Sequence, residues 1–327
     1  MLKTLAAGAL AWLIALCLPM ALVREEETTE EAVRTVQTAA EASDAAGTDE
    51  TVFLAVERDG EAVTMTLADY LTGAVAGEMP ASFPAAALEA QAIAVRTMVY
   101  HRLSDATFHE SGAVVCTSSG HCMAYAPGKG FSAAQWEKFR AAVAATDGKI
   151  AVYEGEPILA AFHAISGGMT EDARDVWGGG APYLRSVYSP GEEDAAMYRT
   201  EHTFTAEDFA ARIRAAYPEA DFSDAPQTWF RASERSAAGG ILSVSVGGVR
   251  IAGTELRRLL SLPSADFTVQ ADEDSLTLTC TGWGHGVGMS QYGAKALAEK
   301  GWIAEEIVEY YYGGAEVTTA SAPAPQG

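Results

Sequence analysis

The sequence predicts an α+β fold, in which helices pack on mostly antiparallel sheets within a single large domain. Three observations lead there. Apolar stripes at helical period alternate with short runs of β-forming residues between about Thr51 and Val317. The first two such runs flank Arg58-Asp59-Gly60, a hairpin signal. No internal repeat, GxGxxG or P-loop is present.

The elements follow in order. Thr51–Glu57 and Glu61–Met65 form the hairpin. Thr66 is placed to cap a helix over Leu67–Ala76, whose Leu67, Tyr70, Leu71, Ala74 and Val75 share one face. Gly77 is placed to end it. Pro84 opens a second helix, running to about Leu103, with Leu88, Ala92, Val95, Val99 and Leu103 as its buried stripe. Ser132–Thr146 reads as a third amphipathic helix. Strands are predicted at Ile150–Tyr153, Ile158–His163, Trp229–Arg231, Leu242–Val249, Asp266–Gln270 and Ser275–Cys280. Two more helices follow, at Met289–Glu299 and Ala304–Tyr311.

The 327 residues are 49% hydrophobic and 20% charged, enough apolar mass for a substantial core. A net charge of −22 excludes nucleic acid as a natural partner and disfavours polyanionic wall polymers, but not near-neutral or cationic glycans. Residues 1–24 hold an uninterrupted uncharged run, Leu5–Val23, the length of a membrane-spanning helix. Its C-terminal flank is a poor signal-peptidase site, so an uncleaved anchor with an exported domain is predicted. Residues 25–50 carry nine acidic residues and one basic one, and read as a solvated spacer. The folded domain is placed at 51–317, and a flexible Ala/Pro tail at 318–327.

Three clusters carry the chemistry. In Ala76-Gly77-Glu78-Met79-Pro80, Glu78 has apolar neighbours, Val75, Met79 and Phe83. An apolar pocket raises a carboxyl pKa, the state a general acid needs; a solvated or helix-capping glutamate is the competing reading. The second cluster runs from Phe162-His163 through Ser166-Gly167-Gly168 to Pro182-Tyr183-Leu184-Arg185. There Ser166 opens a loop where backbone can approach a ligand. Trp177 and Tyr183 can stack on sugar rings or simply pack, and Arg185 can hold a carboxylate or hydroxyl. The third is Gly284-His285-Gly286-Val287-Gly288-Met289-Ser290-Gln291, in which glycines fold closely around His285 and Ser290 can cap a helix.

Taken together, these stretches, with Asp69-Tyr70-Leu71 and Ala90-Gln91-Ala92-Ile93-Ala94-Val95-Arg96-Thr97, resemble the stage II sporulation protein D family, which also includes the amidase-enhancer LytB proteins. The resemblance spans about Thr51–Gly314. It implies lytic transglycosylase action on peptidoglycan glycan strands already stripped of stem peptides, with Glu78 at the position of the catalytic glutamate. It implies substrate-binding roles for Arg96, Ser166, Tyr183, Arg185, His285 and Gln291; where this chain has Arg185 the family often has lysine. For Arg96 a structural pair with a buried carboxylate is the competing reading. The resemblance further implies stage II sporulation proteins M and P as partners, the latter an amidase.

His109, Cys116, His121 and Cys122 lie within fourteen residues. Two Cys and two His are the ligand set of a closed tetrahedral zinc site, and a Cys116–Cys122 disulfide is the competing reading. Clostridial members of the family that this pattern resembles hold zinc with such residues, so the resemblance implies structural Zn²⁺. Cys280 reads as a buried strand residue. Two other functions stay open: a non-catalytic binding module that enhances a cell-wall amidase, and a zinc hydrolase using the Cys/His cluster.

Overall fold

The computed structural model describes residues 48–320. The anchor expected over 1–24, most of the acidic spacer and the last seven residues of the tail lie outside the described residues. Among the described residues, no helix is long and apolar enough to cross a membrane.

Strands β1 (Phe53–Arg58) and β2 (Glu61–Thr66) form the expected hairpin, in register from Phe53↔Thr66 to Arg58↔Glu61. Asp59 and Gly60 both take positive φ, 54° and 84°, the two-residue turn that matches strand twist. Thr66 ends β2 and caps α1 (Leu67–Glu78), its hydroxyl accepting from the Asp69 N–H at 3.1 Å. The expected stop at Gly77 is not realised. The helix continues through Glu78, and Met79 closes it with an N–H to the Val75 carbonyl. Helix α2 (Ala85–Ser104) starts after Pro84 as expected, and is buried on almost every side. Strand β3 (Val115–Cys116) pairs parallel to β1, and α3 (Ala133–Ala145) starts from a Ser132/Gln135 capping box.

Strands β4 (Lys149–Tyr153) and β5 (Glu156–Pro157) form a short hairpin, and β6 (Phe162–His163) stands alone after them. The single strand expected over Ile158–His163 is interrupted, because the Leu159 N–H donates to the Tyr183 hydroxyl instead of a neighbouring strand. Next come α4 (Ala173–Trp177), β7 (Arg199–Thr205), α5 (Ala206–Ala216), β8 (Phe230–Arg235), β9 (Ile241–Val246) and β10 (Val249–Ala252). The run expected as one strand over Leu242–Val249 folds back at Gly247-Gly248, both at positive φ, to give β9 and β10. The chain continues through α6 (Gly253–Leu260), β11 (Phe267–Ala271), β12 (Ser275–Thr281), β13 (Met289–Ser290), α7 (Gln291–Glu299), α8 (Ala304–Tyr311) and β14 (Glu316–Thr319). Among the described residues, eight α-helices and small, mostly antiparallel sheets make this the expected α+β fold.

Two hydrophobic cores stand among the described residues. The first is built from α1, α2, α3, α7 and α8 with β1 and β4. The second lies between Phe209 and Cys280, under β7, β9, β11 and β12; Cys280 is buried in it as expected. The chain leaves the first core after the Tyr183–Glu192 loop and returns through the glycine-rich stretch Gly282–Gly288. There β13 pairs parallel with β6, Met289 opposite Phe162 and Ser290 opposite His163. The junction of the cores forms a cleft lined by Glu171, Arg257, Asp266 and His285.

Arg96, on α2, is 0% exposed. Its Nε donates to both Asp49 carboxylate oxygens at 3.0 Å, and Nη2 also binds Asp49. The remaining N–H groups reach Thr146 Oγ1 and the carbonyls of Lys149 and Val143. All five donors are used inside the protein, so Arg96 is a structural residue and not a substrate contact. The same pair moves the start of the fold. Asp49, counted with the spacer, is buried and also receives its own hydrogen bond pattern from the core: its carbonyl accepts from Ala68 N–H and its N–H donates to Asp147. At the other end, Thr318 and Thr319, expected in the tail, pair with Ile150 and Lys149.

Replacing Asp49 by alanine strands the buried Arg96 charge. The expected loss is about 3–5 kcal/mol of stability, read from the shift of the denaturant midpoint; a loss below about 1 kcal/mol contradicts this account of the pair.

Candidate functional site

Glu78 is the last residue of α1, so its carboxyl projects from the end of that helix. Each oxygen has one partner. Oε1 accepts from the Ala124 backbone N–H at 2.6 Å, and Oε2 from the Gln291 side-chain amide at 3.1 Å. Burial pushes the Glu78 pKa above the ordinary carboxylate value, and these two bonds pull against it. The outcome is a carboxyl that stays protonated closer to neutral pH than a solvated glutamate, held by two donors from remote parts of the chain.

The loop bearing Ala124 lies directly on α1 because two helical glycines let it. A Cβ on Gly77 would meet the Ala124 carbonyl carbon and oxygen at 2.6 Å, and one on Gly73 would meet the Tyr125 ring at 2.2 Å. Ala126 N–H donates to the Gly73 carbonyl at 2.9 Å, and the Tyr125 ring stacks on Tyr70. Tyr70 is fully buried and donates to the Cys116 carbonyl at 3.3 Å.

Behind this contact the same loop gathers His109, Cys116, His121 and Cys122, with one ligand atom from each within 4.8 Å of all the others. Cys122 Sγ lies 3.3 Å from His109 Nε2 and 3.5 Å from His121 Nδ1, and Cys116 Sγ lies 3.8 Å from His121 Nδ1. Ligands on one small tetrahedral ion stand about 3.3–3.8 Å apart, from metal–ligand bonds of about 2.0–2.3 Å, so this donor set can hold a metal ion. Adjacent His121 and Cys122 both face inward because their N–H groups bond the Ser118 carbonyl in an irregular turn. Glu57 Oε1 stands 3.7 Å from His109 Nδ1, an outer carboxylate that orients the ring. Cys116 and Cys122 are free thiols, not a disulfide.

The other predicted residues divide. Gln291 touches Glu78 directly. Ser166 is buried, and both its N–H and its hydroxyl bind Glu192. Tyr183 is buried and its hydroxyl accepts from Leu159 N–H. His285 accepts the Val287 N–H at Nδ1, and burial, with the nearby Arg257 charge, lowers its pKa to about 4, so it is a neutral ring at physiological pH. It lines the cleft between the cores, and Trp177, 45% exposed, stands 5.4 Å from it. Arg185 remains available, 43% exposed, with one N–H on Asp172 and one on the Pro182 carbonyl. Sequence reasoning passed over Asp49, Tyr70, Ala124 and Glu192. The backbone donor of Ala124 leaves no signal in a sequence. Glu192, in Pro190-Gly191-Glu192-Glu193-Asp194, looks like a solvated acidic turn.

Fold and site together define a mixed α+β protein built around one half-buried glutamate beside a four-donor His/Cys cluster. The family profile described as Stage II sporulation protein matches residues 58–153. Stage II sporulation protein D of Bacillus subtilis (strain 168) is 34% identical over 264 residues, covering 78% of this chain and 75% of that protein. Its counterpart in Bacillus amyloliquefaciens is 33% identical over 266 residues, covering 78% and 75%. The Amidase enhancer of Bacillus subtilis (strain 168) is 27% identical over 300 residues, covering 76% of this chain and 40% of its own length. The chain belongs to the stage II sporulation protein D family.

Gly77→Ala tests the seating of the loop. An alanine gains about 1 kcal/mol of helix propensity, but its methyl meets backbone, which cannot swing aside as a side-chain tip can. Net destabilisation of about 1–3 kcal/mol is expected, with the Glu78 titration moving upward as the Ala124 donor is lost. Thermal unfolding and carboxyl NMR read the two effects; a more stable protein with an unmoved Glu78 contradicts the geometry.

Proposed function

We propose that this protein is a lytic transglycosylase that cleaves peptide-stripped glycan strands of peptidoglycan during the engulfment stage of sporulation, with Glu78 as its one acid and base. The observation that supports the reading is the setting of Glu78: burial raises its pKa, and its two oxygens are held by the Ala124 N–H and the Gln291 amide, neither of them a carboxylate. Ordinary glycosidases need two carboxyl groups, one to protonate the leaving oxygen and one to activate water or attack the sugar. A lytic transglycosylase needs one, because the muramic acid supplies its own nucleophile. Protonated Glu78 gives its proton to the glycosidic oxygen as the bond to C1 breaks. The resulting carboxylate then takes the proton of the muramoyl C6 hydroxyl as that oxygen closes on C1, leaving a 1,6-anhydro end and restoring the acid. The attack is intramolecular, so its entropy cost is small. Ala124 and Gln291 bind the carboxylate formed midway and keep its oxygens oriented through both transfers. Arg185, exposed and cationic, is the residue best placed to meet a sugar carboxylate or hydroxyl.

Zinc suits the His109, Cys116, His121 and Cys122 set, two thiols and two imidazoles at tetrahedral spacing. Four protein ligands would complete the coordination, so the ion would supply structure, tying down the loop that presents Ala124, with no open position for a hydrolytic water. Residues 1–24 anchor the chain in the cell membrane with the domain outside, and the acidic spacer keeps it off the bilayer. Stage II sporulation proteins M and P are its partners on this reading, the amidase stripping peptides before Glu78 acts. The likeness to the Amidase enhancer favours a second reading, a non-catalytic glycan-binding protein that stimulates an amidase.

Purified protein and peptide-stripped strands separate the two. Wild type generates anhydro-muramic ends and Glu78→Gln generates none while melting at the same temperature; full cleavage by that variant, or none by wild type, sinks the transglycosylase reading. Because the proton must be on Glu78, kcat falls as pH rises through its pKa, and that limb lies above the ordinary glutamate value of about 4.3. Elemental analysis should give one zinc per chain, and chelation should lower the melting temperature. A zinc-free protein carrying a Cys116–Cys122 bridge overturns the metal assignment.

A further inference from the structure

Ser166-Gly167-Gly168 and Ser290-Gln291 meet at one residue, Glu192. Its side chain is 0% exposed, and its two oxygens accept four hydrogen bonds. Oε2 takes the Ser166 backbone N–H at 2.6 Å and the Ser290 hydroxyl at 2.8 Å, and Oε1 takes the Ser166 hydroxyl at 2.8 Å and the Ser189 hydroxyl. For Ser166 and Ser290 the directions follow from what stands behind each hydroxyl. Ser166 Oγ accepts from Gly168 N–H and Ser290 Oγ from Gly293 N–H, groups that can only donate. The serine hydrogens are thus free to point at Glu192. Ser189 Oγ lies 2.7 Å from the Tyr311 hydroxyl, which completes the set. Burial pushes the Glu192 pKa up, and the bonds from Ser189, Ser166 and Ser290 pull it back down. Tyr311, the other titratable group in the hub, is raised far above the ordinary tyrosine value by burial and stays neutral. Gly293 is required here, since a Cβ would lie 2.0 Å from the Tyr311 hydroxyl and 2.2 Å from Ser189 Oγ.

Ser290 is the N-cap of α7, and the next residue is Gln291. We propose that Glu192 is a positioning residue for Glu78: it anchors the Ser290 cap, the cap sets the first turn of α7, and that turn aims the Gln291 amide at Glu78. This rests on the reading of Glu78 as the acid and base. Gln291 is 4% exposed, so its amide has little freedom once the helix start is set. With Glu192 neutralised, Ser290 has the Ala164 carbonyl, at 3.3 Å, as an alternative acceptor, and the cap can turn away.

The test compares Glu192→Gln, Gln291→Ala and the double variant in the full-length protein, on peptide-stripped strands. Glu192→Gln is expected to lower kcat by about tenfold to a hundredfold with KM little changed, the scale of a misplaced catalytic group. Loss of the Gln291 donor also raises the Glu78 pKa, so the alkaline limb of kcat should move upward by the same amount in both single variants. Tyr70, which feels the Glu78 charge, is held neutral by burial and does not titrate across that limb. The double variant should be no worse than Gln291→Ala alone. Additive losses, an unmoved limb in Glu192→Gln, or wild-type kcat in that variant overturn the proposal. Should Glu192→Gln fail to fold, Ser290→Ala removes one link and is held to the same criteria, with Ser290→Thr restoring activity. Failure of the transglycosylase reading shows separately, as Glu78→Gln cleaving like wild type.

Discussion

One carboxyl group joins three distant parts of this chain. Glu78 is met by a backbone donor 46 residues away and a side-chain donor 213 residues away. Neither donor is of use unless the intervening structure delivers it within about 0.3 Å of hydrogen-bond distance. The cysteine and histidine loop has to lie flat on α1, and α7 has to begin at one place. Much of the fold around α1 and α7 answers to that requirement: helical glycines where the loop crosses, a buried serine–carboxylate hub where α7 starts, and a parallel β6–β13 contact of two residue pairs that holds the returning chain in register.

Seen this way, the motifs that mark the family are mostly internal fittings. Ser166, Ser290, Tyr183 and Arg96 all have their polar atoms satisfied by protein groups, and the buried ones make no surface for a ligand. Arg185, by contrast, keeps a substantial exposed cationic face. A polar residue in a glycine-rich motif near a reactive group is easily taken for a ligand contact. In this molecule the glycines allow close backbone approach, and the serines satisfy what that approach buries.

The architecture was legible from the sequence wherever local signals carried it. The Asp59-Gly60 turn, the Thr66 cap, the Ser132 start and the Ala304–Tyr311 helix follow from residue type and spacing. Gly77 misled, because a glycine past an apolar stripe usually ends a helix, whereas here it stays helical and serves a tertiary contact. The run over Leu242–Val249 hid a turn between two strands, although the alternation of Leu242, Val244 and Val246 stops at Gly247-Gly248, where φ turns positive. Strand β7, helices α5 and α6 and the buried Asp49 were unread. Strand β7 and Asp49 have partners far off in the chain, and a residue such as Asp49 looks like spacer until Arg96 stands opposite it. At the site, Glu78, Gln291 and the four thiol and imidazole donors were visible as residue types. The Ala124 donor and the Glu192 hub were not, because each depends on a long-range approach of backbone.

The placement of the second core has a consequence for how the molecule comes together in time. Residues 209–280 lie wholly between the two strands β6 and β13 that close the first core. Helix α2, apolar on almost all sides, is covered partly by α7 and α8, which are synthesised about 190 residues after it. The second core has its cohesive apolar cluster within one stretch of chain and can condense as soon as that stretch is complete. The first cannot, and a flank of α2 stays bare until the last helices arrive. Closing so large a loop is slow by nature, and a bare apolar helix is what chaperones recognise. The middle of the chain thus has its apolar partners within one stretch, whereas the half that carries Glu78 has some of its covering helices only at the end of the chain.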